Sequence, residues 1–315
     1  MRKTCLDMVH TLAKSDPRVV FIGSDLSPGL LGKMKAEMPE RYYMEGVTEA
    51  NVIGMAAGMA MDGYMPFVNT IATFITRRCY EQVALDLCLH DLPVRLIANG
   101  GGLVYAPLGP THLAVEDIAI MRALPKMTVT AVADADEMVR LMRATLDWPH
   151  PIYIRLGKGG DPIVSKEENG FAIGKAIVMR PAGGRDRVLL VSCGVMTGRA
   201  LKAADLLAKQ GIAAEVIHVH TIKPLDSKLI VERARDVRSV FTIEEHTTIG
   251  GLGSAVLDVL SEELGPNMPY VKKLGLSDEF AKNYGSQDDL LELNGLQPPQ
   301  IAGQVERVLM QARVA

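Results

Sequence analysis

Two consecutive three-layer α/β domains with mainly parallel sheets are predicted by three features of the sequence. Short apolar runs of strand length alternate with stretches of helix length, the signature of strands joined by crossover helices. The alternation breaks in a segment rich in glycine, proline and charge after Gly157, then resumes. At 315 residues the chain is also too long for one small core.

In the first half, 1–160, the runs Val19–Gly23, Met65–Val68, Val94–Ala98, Met127–Val132 and Ile152–Ile154 have the continuous apolar character of strands buried on both faces. Helices are expected between them at 48–62, 74–89, 115–123 and 135–146, the last opened by Asp134 as N-cap. A connection is expected over 161–186, with a second turn at Gly183-Gly184-Arg185-Asp186. The second domain, 187–315, should hold strands at 188–191, 214–219 and 239–244. Its helices are expected at 197–210, closed by Gly211, and at 227–235, 254–264 and 300–311.

Net charge is −3, from 37 acidic and 34 basic residues, and no polybasic cluster stands out. Nucleic acid and membrane surfaces therefore find no electrostatic footprint, and small-molecule chemistry is expected. Cys5, Cys79, Cys88 and Cys193 lack metal-ligand spacing and suggest no disulfide framework, so no metal site is expected in this chain. Asp7 comes too early to leave a signal-peptide apolar core. No stretch approaches the ~20 apolar residues of a membrane span. A cytoplasmic location is the default expectation.

Three segments carry candidate chemistry. In Glu45–Ala60, residues Gly54, Ala56, Ala57, Gly58 and Ala60 make a helix with little side-chain bulk. Each glycine costs such a helix roughly 1 kcal/mol against alanine. Close approach by another backbone or a flat ligand is the expected return. Glu49 opens this helix, where an acid also simply suits the helix dipole. In Pro66–Val83 a strand runs into a helix with Phe74 at the junction, either core or a platform for a flat heterocycle. In Asn99–His112 a glycine- and proline-rich loop delivers His112. That loop reads as a phosphate cradle or as plain connection, and it matches neither GxGxxG nor a P-loop.

Taken in this order, the three segments resemble the pyrimidine-binding domain of the transketolase family. The Glu-bearing small-residue helix, the Thr-Phe-x-x-Arg step (Thr73, Phe74, Arg77) and the Gly-Pro-Thr-His loop (Gly109–His112) carry the resemblance. Ser192-Cys193-Gly194, Thr221–Asp226, Glu244-Glu245-His246 and Gly250–Gly253 extend it to the family's C-terminal domain. The resemblance implies thiamine diphosphate as cofactor. Glu49 is then the acid that hydrogen-bonds the aminopyrimidine nitrogen and favours the tautomer that generates the reactive ylid. An apolar surround from Met55, Ala56 and Met59 would raise its pKa. It also implies Phe74 stacked on the pyrimidine, Ile71 and Arg77 as further cofactor contacts, and His112 as proton-transfer and substrate residue. Asn99 and Lys158 are the implied further substrate residues. Family members hold a divalent metal, such as Mg2+, and the diphosphate with a Gly-Asp-Gly motif that this sequence lacks. The resemblance therefore implies a partner, the N-terminal diphosphate-binding transketolase subunit, in an α2β2 assembly.

Departures blur the substrate. Leu108 stands where family members commonly have Asp, Asn99-Gly100 where the deoxyxylulose-phosphate synthase has Asp-Arg, and Lys158 where many have a phosphate-binding Arg. A lysine loses bidentate geometry, and Arg155 is the alternative structural arginine. The expected function is two-carbon ketol transfer between sugars. The rivals are the small subunit of a 2-oxoacid dehydrogenase, a synthase-type ligase, a silent assembly subunit, and a NAD-dependent Rossmann enzyme whose fingerprint is absent.

Overall fold

A computed structural model of the chain describes residues 1–24, 29, 31–184 and 186–314. Arg185, in the second expected turn, lies outside the described residues. The first half supplies strands β1 (Val19–Gly23), β2 (Tyr42–Met44), β3 (Met65–Ile71), β4 (Arg95–Asn99), β5 (Thr128–Ala131) and β6 (Ile152–Leu156). The second supplies β7 (Ile177–Arg180), β8 (Val188–Ser192), β9 (Ala214–His218), β10 (Thr221–Lys223), β11 (Ser239–Thr247) and β12 (Tyr270–Leu276). Helices α1 (Arg2–Ser15), α2 (Gly32–Glu37), α3 (Glu49–Met61), α4 (Ala72–Thr76), α5 (Tyr80–Gln82), α6 (Asp117–Ala123) and α7 (Ala135–Ala144) belong to the first half. Helices α8 (Met196–Lys209), α9 (Ser227–Ala234), α10 (Leu252–Leu264), α11 (Gln287–Leu293) and α12 (Pro298–Val314) follow.

The first sheet runs β10-β5-β6-β4-β3-β1-β2 and the second β12-β11-β8-β9-β7. All pairings are parallel except β10 with β5 and β7 with β9, both at sheet edges. β1, β3, β4 and β6 are buried along their whole length, as their largely apolar runs predict, and they bury Asn69, Thr70, Arg95, Asn99 and Arg155 with them. The second half lends β10 to the first sheet, so the two domains share backbone hydrogen bonds. The segment 161–186 contributes β7 to the second sheet.

Three apolar clusters separate the layers. Leu6, Val9 and Leu12 of α1 and Met138, Leu141 and Met142 of α7 cover one face of the first sheet. Its other face shares one continuous core with the second domain, where Val68, Leu96 and Val129 join Leu189, Ile217 and Val240. α8 and α12 cover the far face of the second sheet together with Leu103, Ala106 and Leu113 from the loop that carries His112. Each fully buried aliphatic side chain there contributes about 1.5–3 kcal/mol.

Helix 74–89 is corrected by the structure. α4 stops at Thr76, α5 restarts at Tyr80, and Val83–Leu89 is π-helical. Asp134 does cap α7: Oδ1 accepts from Glu137 N at 2.9 Å, and Oδ2 accepts from Val164 N and Ser165 N at 2.8 and 2.7 Å. Burial opposes its charge, but these donors hold its carboxyl below the usual range.

A second buried joint links the domains. His218 Nε2 meets Glu137 Oε2 at 2.8 Å, and Nδ1 meets Thr197 Oγ1 at 2.6 Å. Nearby, His220 stacks on Phe171 with ring centres 4.2 Å apart, and its Nε2 has no partner. Burial, aided by His218, lowers the His220 pKa from 6.5 to about 4. The unfolded chain therefore takes up a proton that folded His220 refuses. Stability is complete above about pH 6.5 and falls as pH drops toward 4, by about 3 kcal/mol at the bottom of that window. Thermal unfolding between pH 7.5 and 4.5 should show this slope and lose most of it in His220→Phe. An unchanged slope in the variant would assign the effect elsewhere.

Candidate active site

Of the expected residues, Glu49, Ile71, Phe74, Asn99 and His112 lie at the carboxyl edge of the first sheet, where parallel α/β sheets bind ligands. Glu49 opens α3, its side chain 3% exposed. Phe74 lies in α4, directly after β3, and its ring centre is 5.3 Å from that of His112, edge to face. Asn99 ends β4 opposite Ile71 and Leu156, and both polar atoms of its side chain are buried without a partner. Thr73 Oγ1 is unpartnered too. Buried polar groups are nearly always hydrogen-bonded, so these orphans mark a place where a ligand or water belongs. Ile71 closes β3 and leads into α4.

Several expectations need correction. Met55 and Met59 do not surround Glu49, because helix rise puts them roughly 9 and 15 Å further along the axis. The carboxylate instead meets the guanidinium of Arg78, whose Nη1 donates to Oε2 at 2.6 Å. Arg77 does not turn toward Glu49. It pairs with Glu116 and donates from Nη2 to the Leu113 carbonyl at 2.8 Å, bracing the far end of the His112 loop. Lys158 opens onto a groove between the domains lined by Gly159, Asp161, Arg199, Lys202 and Asp288, away from Glu49, Phe74 and His112. Ala56, Ala57 and Ala60 of α3 pack into the core, whereas among the described residues little approaches the Gly54 and Gly58 side. A Cβ on Gly58 would meet no atom within 4 Å, and one on Gly54 only Asp86 Oδ2 at 3.9 Å.

The glycine loop is not a phosphate cradle, because its own protein fills it. A Cβ on Gly100 would strike the Tyr105 ring, one on Gly101 would lie 2.5 Å from Arg155 Cγ, and one on Gly102 would lie 2.5 Å from Glu245 Cδ. Glu245 of the second domain accepts from Leu103 N at 2.7 Å and from Gln287 Nε2 at 2.8 Å. Burial raises its pKa, against the pull of Arg155. Gly102 has φ +69, a conformation that disfavours any side chain. Gly102→Ala should thus cost about 1–3 kcal/mol, clearly more than Gly160→Ala, which has φ +80 but open space. Urea unfolding compares them, and equal losses would mean that the Glu245 contact is slack.

Beneath the loop lies a buried ion-pair network that sequence reading only touched. Arg155 donates from Nε to Asp117 Oδ2 at 2.7 Å and from Nη2 to Asp117 Oδ1, the Ala114 carbonyl and the Glu245 carbonyl at 3.1, 3.0 and 2.9 Å. Tyr153 also donates to Asp117 Oδ2, at 2.7 Å. Burial works against the Asp117 charge, yet Arg155 and these bonds hold its carboxyl below the usual range. Glu244 accepts from Leu252 N and Gly253 N at the start of α10, at 2.7 and 2.8 Å. The Glu-Glu-His and Gly-Gly-Leu-Gly segments are therefore joints between layers. All four cysteines are buried and free.

Among the described residues, no group of three or more His, Cys, Asp or Glu side chains is placed to hold a metal ion, and no helix is long and apolar enough to cross a membrane.

Fold and site together define a two-domain α/β chain with a buried acid, an aromatic ring and a histidine gathered at the edge of its first sheet. The models of the transketolase pyrimidine-binding domain and the transketolase C-terminal domain match residues 1–160 and 174–301. The chain belongs to the transketolase family, a family of transferase-type enzymes whose members use thiamine diphosphate. It is 36% identical over 303 residues to the 6-deoxy-6-sulfo-D-fructose transketolase subunit SqwH of Clostridium sp. (strain MSTE9), covering 96% of this chain and 92% of that one. It is 34% identical over 304 residues to the 1-deoxy-D-xylulose-5-phosphate synthase of Microcystis aeruginosa (strain NIES-843 / IAM M-2473), spanning 94% of this chain but 46% of the synthase. A split-gene transketolase solved as an inactive β4 tetramer superposes with TM-score 0.89 at 36% identity, covering 98% of each chain.

Proposed function

We propose that this chain is the pyrimidine-binding subunit of a split, thiamine-diphosphate-dependent transketolase that transfers a two-carbon ketol unit between sugar substrates. The observation that carries the reading is the buried Glu49 carboxylate beside the Phe74 ring and His112, next to orphaned Asn99 and Thr73. These residues fit an aminopyrimidine: a carboxyl group that shares a proton with its ring nitrogen, a flat face for its ring, and spare polar atoms at its rim. When bound, the coenzyme supplies a nucleophilic carbon that takes up the ketol fragment. Glu49 holds and orients the pyrimidine by hydrogen bond, and Phe74 supports its plane. His112, half-buried and hydrogen-bonded through Nδ1 to Thr111 Oγ1 at 2.9 Å, is positioned to exchange protons with a substrate hydroxyl or carbonyl. Asn99 is the further polar substrate contact, and Lys158 serves at most an outlying anionic group.

The diphosphate and its divalent metal fall to a second polypeptide in this reading, in an α2β2 assembly, with the cytoplasm as the expected location. Two observations support a partner. The relatives of matching length are described as a transketolase subunit and as a split-gene chain. The open Gly54 and Gly58 face of α3 leaves room for another backbone, as two helical glycines would otherwise be a net cost of roughly 1 kcal/mol each. The test is reconstitution with the product of the neighbouring reading frame, followed by a screen of ketose donors and aldose acceptors with thiamine diphosphate and Mg2+. Ketol transfer should require both chains. Turnover by this chain alone would contradict the split-enzyme reading.

A further inference from the structure

Arg78 has no place in the machinery above, yet its position is specific. Its guanidinium carbon stands 4.2 Å from the centre of the Phe74 ring, and its Nη1 donates to Glu49 Oε2 at 2.6 Å. A planar group with N–H donors, stacked on Phe74 and bonded to Glu49, offers the two features by which these residues would recognise an aminopyrimidine. Two planar groups cannot share that space. On the coenzyme-binding reading given above, we infer that Arg78 is a displaceable internal occupant of the pyrimidine slot: in the coenzyme-free chain it covers Phe74 and neutralises Glu49, and coenzyme binding drives it out.

The surroundings suit an occupant that leaves. Arg78 sits in the break between α4 and α5, and its side chain is 45% exposed, so it reaches the slot from the solvent side. Its neighbour Arg77 is fixed to Glu116 and the Leu113 carbonyl, which anchors the backbone while the Arg78 side chain swings. Glu49 is 3% exposed, and a buried carboxylate without a partner is strongly unfavourable. Arg78 removes that penalty while the slot is empty. A ligand that replaces it must offer both a flat face and a hydrogen bond to Glu49, which a pyrimidine ring nitrogen does by sharing a proton with the carboxyl group, and this makes Arg78 a filter for ligands of that shape. Half-exposed ion pairs and cation–π contacts are weak, so the competition is worth about tenfold in affinity.

Two measurements on the full-length chain test this. In the first, the Arg78 Nε–Hε proton is located by NMR. It should lie upfield through the Phe74 ring current and return to an ordinary position in Phe74→Leu. An identical resonance in the variant overturns the occupancy of the slot, whatever the coenzyme does. In the second, 4-amino-2,5-dimethylpyrimidine is titrated calorimetrically into wild type and Arg78→Ala. The variant should bind about tenfold more tightly, and the gain should vanish in Arg78→Ala/Glu49→Gln. Unchanged or weaker binding in Arg78→Ala overturns the displacement, weaker binding making Arg78 part of the ligand's cradle. If the probe binds neither protein while the ring-current shift is present, the displacement is overturned and only the stacking stands, whereas the coenzyme reading is tested separately by thiamine diphosphate binding to the mixed subunits.

Discussion

Glu49→Gln should lower the turnover of the reconstituted pair by roughly 10³-fold, in the range that loss of a positioned acid–base group produces. Glutamine keeps the size of the side chain and an oxygen for Arg78, so folding should survive. The loss should fall on kcat, with KM for the sugars little changed, because Glu49 lies at the pyrimidine end of the site and His112 and Asn99 face the substrate in the proposed arrangement. Steady-state kinetics with saturating coenzyme separates the two constants. An unchanged rate would favour a subunit that assembles without taking part in the chemistry.

Arg155→Met should destabilise the chain by about 3–5 kcal/mol, the cost of stripping one partner from a buried ion pair. Methionine keeps much of the volume but leaves Asp117 with only the Tyr153 hydroxyl, and takes a donor from the carbonyls of Ala114 and Glu245. Because that network lies under the His112 loop, activity should fall along with stability. In Asp117→Asn/Arg155→Met the buried charge is gone as well, so the double variant should recover part of the loss, a non-additive result that a double-mutant cycle reads directly. Strict additivity in denaturant unfolding would mean that the pair is screened by water and contributes little.

Much of the first domain was legible because its signals are local. β1 is a continuous apolar run and β3, β4 and β6 are mostly apolar, and α3 combines an acid in its first turn with a small-residue body. α1 carries a local signal too, since Cys5, Leu6, Met8, Val9, Leu12 and Ala13 fall on one helical face. β10 does not, since three residues acquire strand geometry only by pairing with β5 across the domain boundary. The candidate site divides in the same way. Glu49, Phe74, Asn99 and His112 stand on segments with recognisable local form, and the structure gathers them at one sheet edge. Arg77 and Arg78 are adjacent basic residues whose opposite directions follow from the break between α4 and α5. Three glycines in a row read like a ligand loop, but each accommodates a side chain, and Glu245 arrives from 142 positions away.

Thiamine diphosphate binding, followed by calorimetry in Mg2+ with this chain, its partner and the mixture, addresses the shared-site claim most directly. Tight binding should appear only in the mixture and weaken when Glu49→Gln or Phe74→Leu replaces the wild-type chain. Equally tight binding to the partner alone, or binding by the mixture indifferent to both substitutions, would contradict a pyrimidine pocket on this subunit.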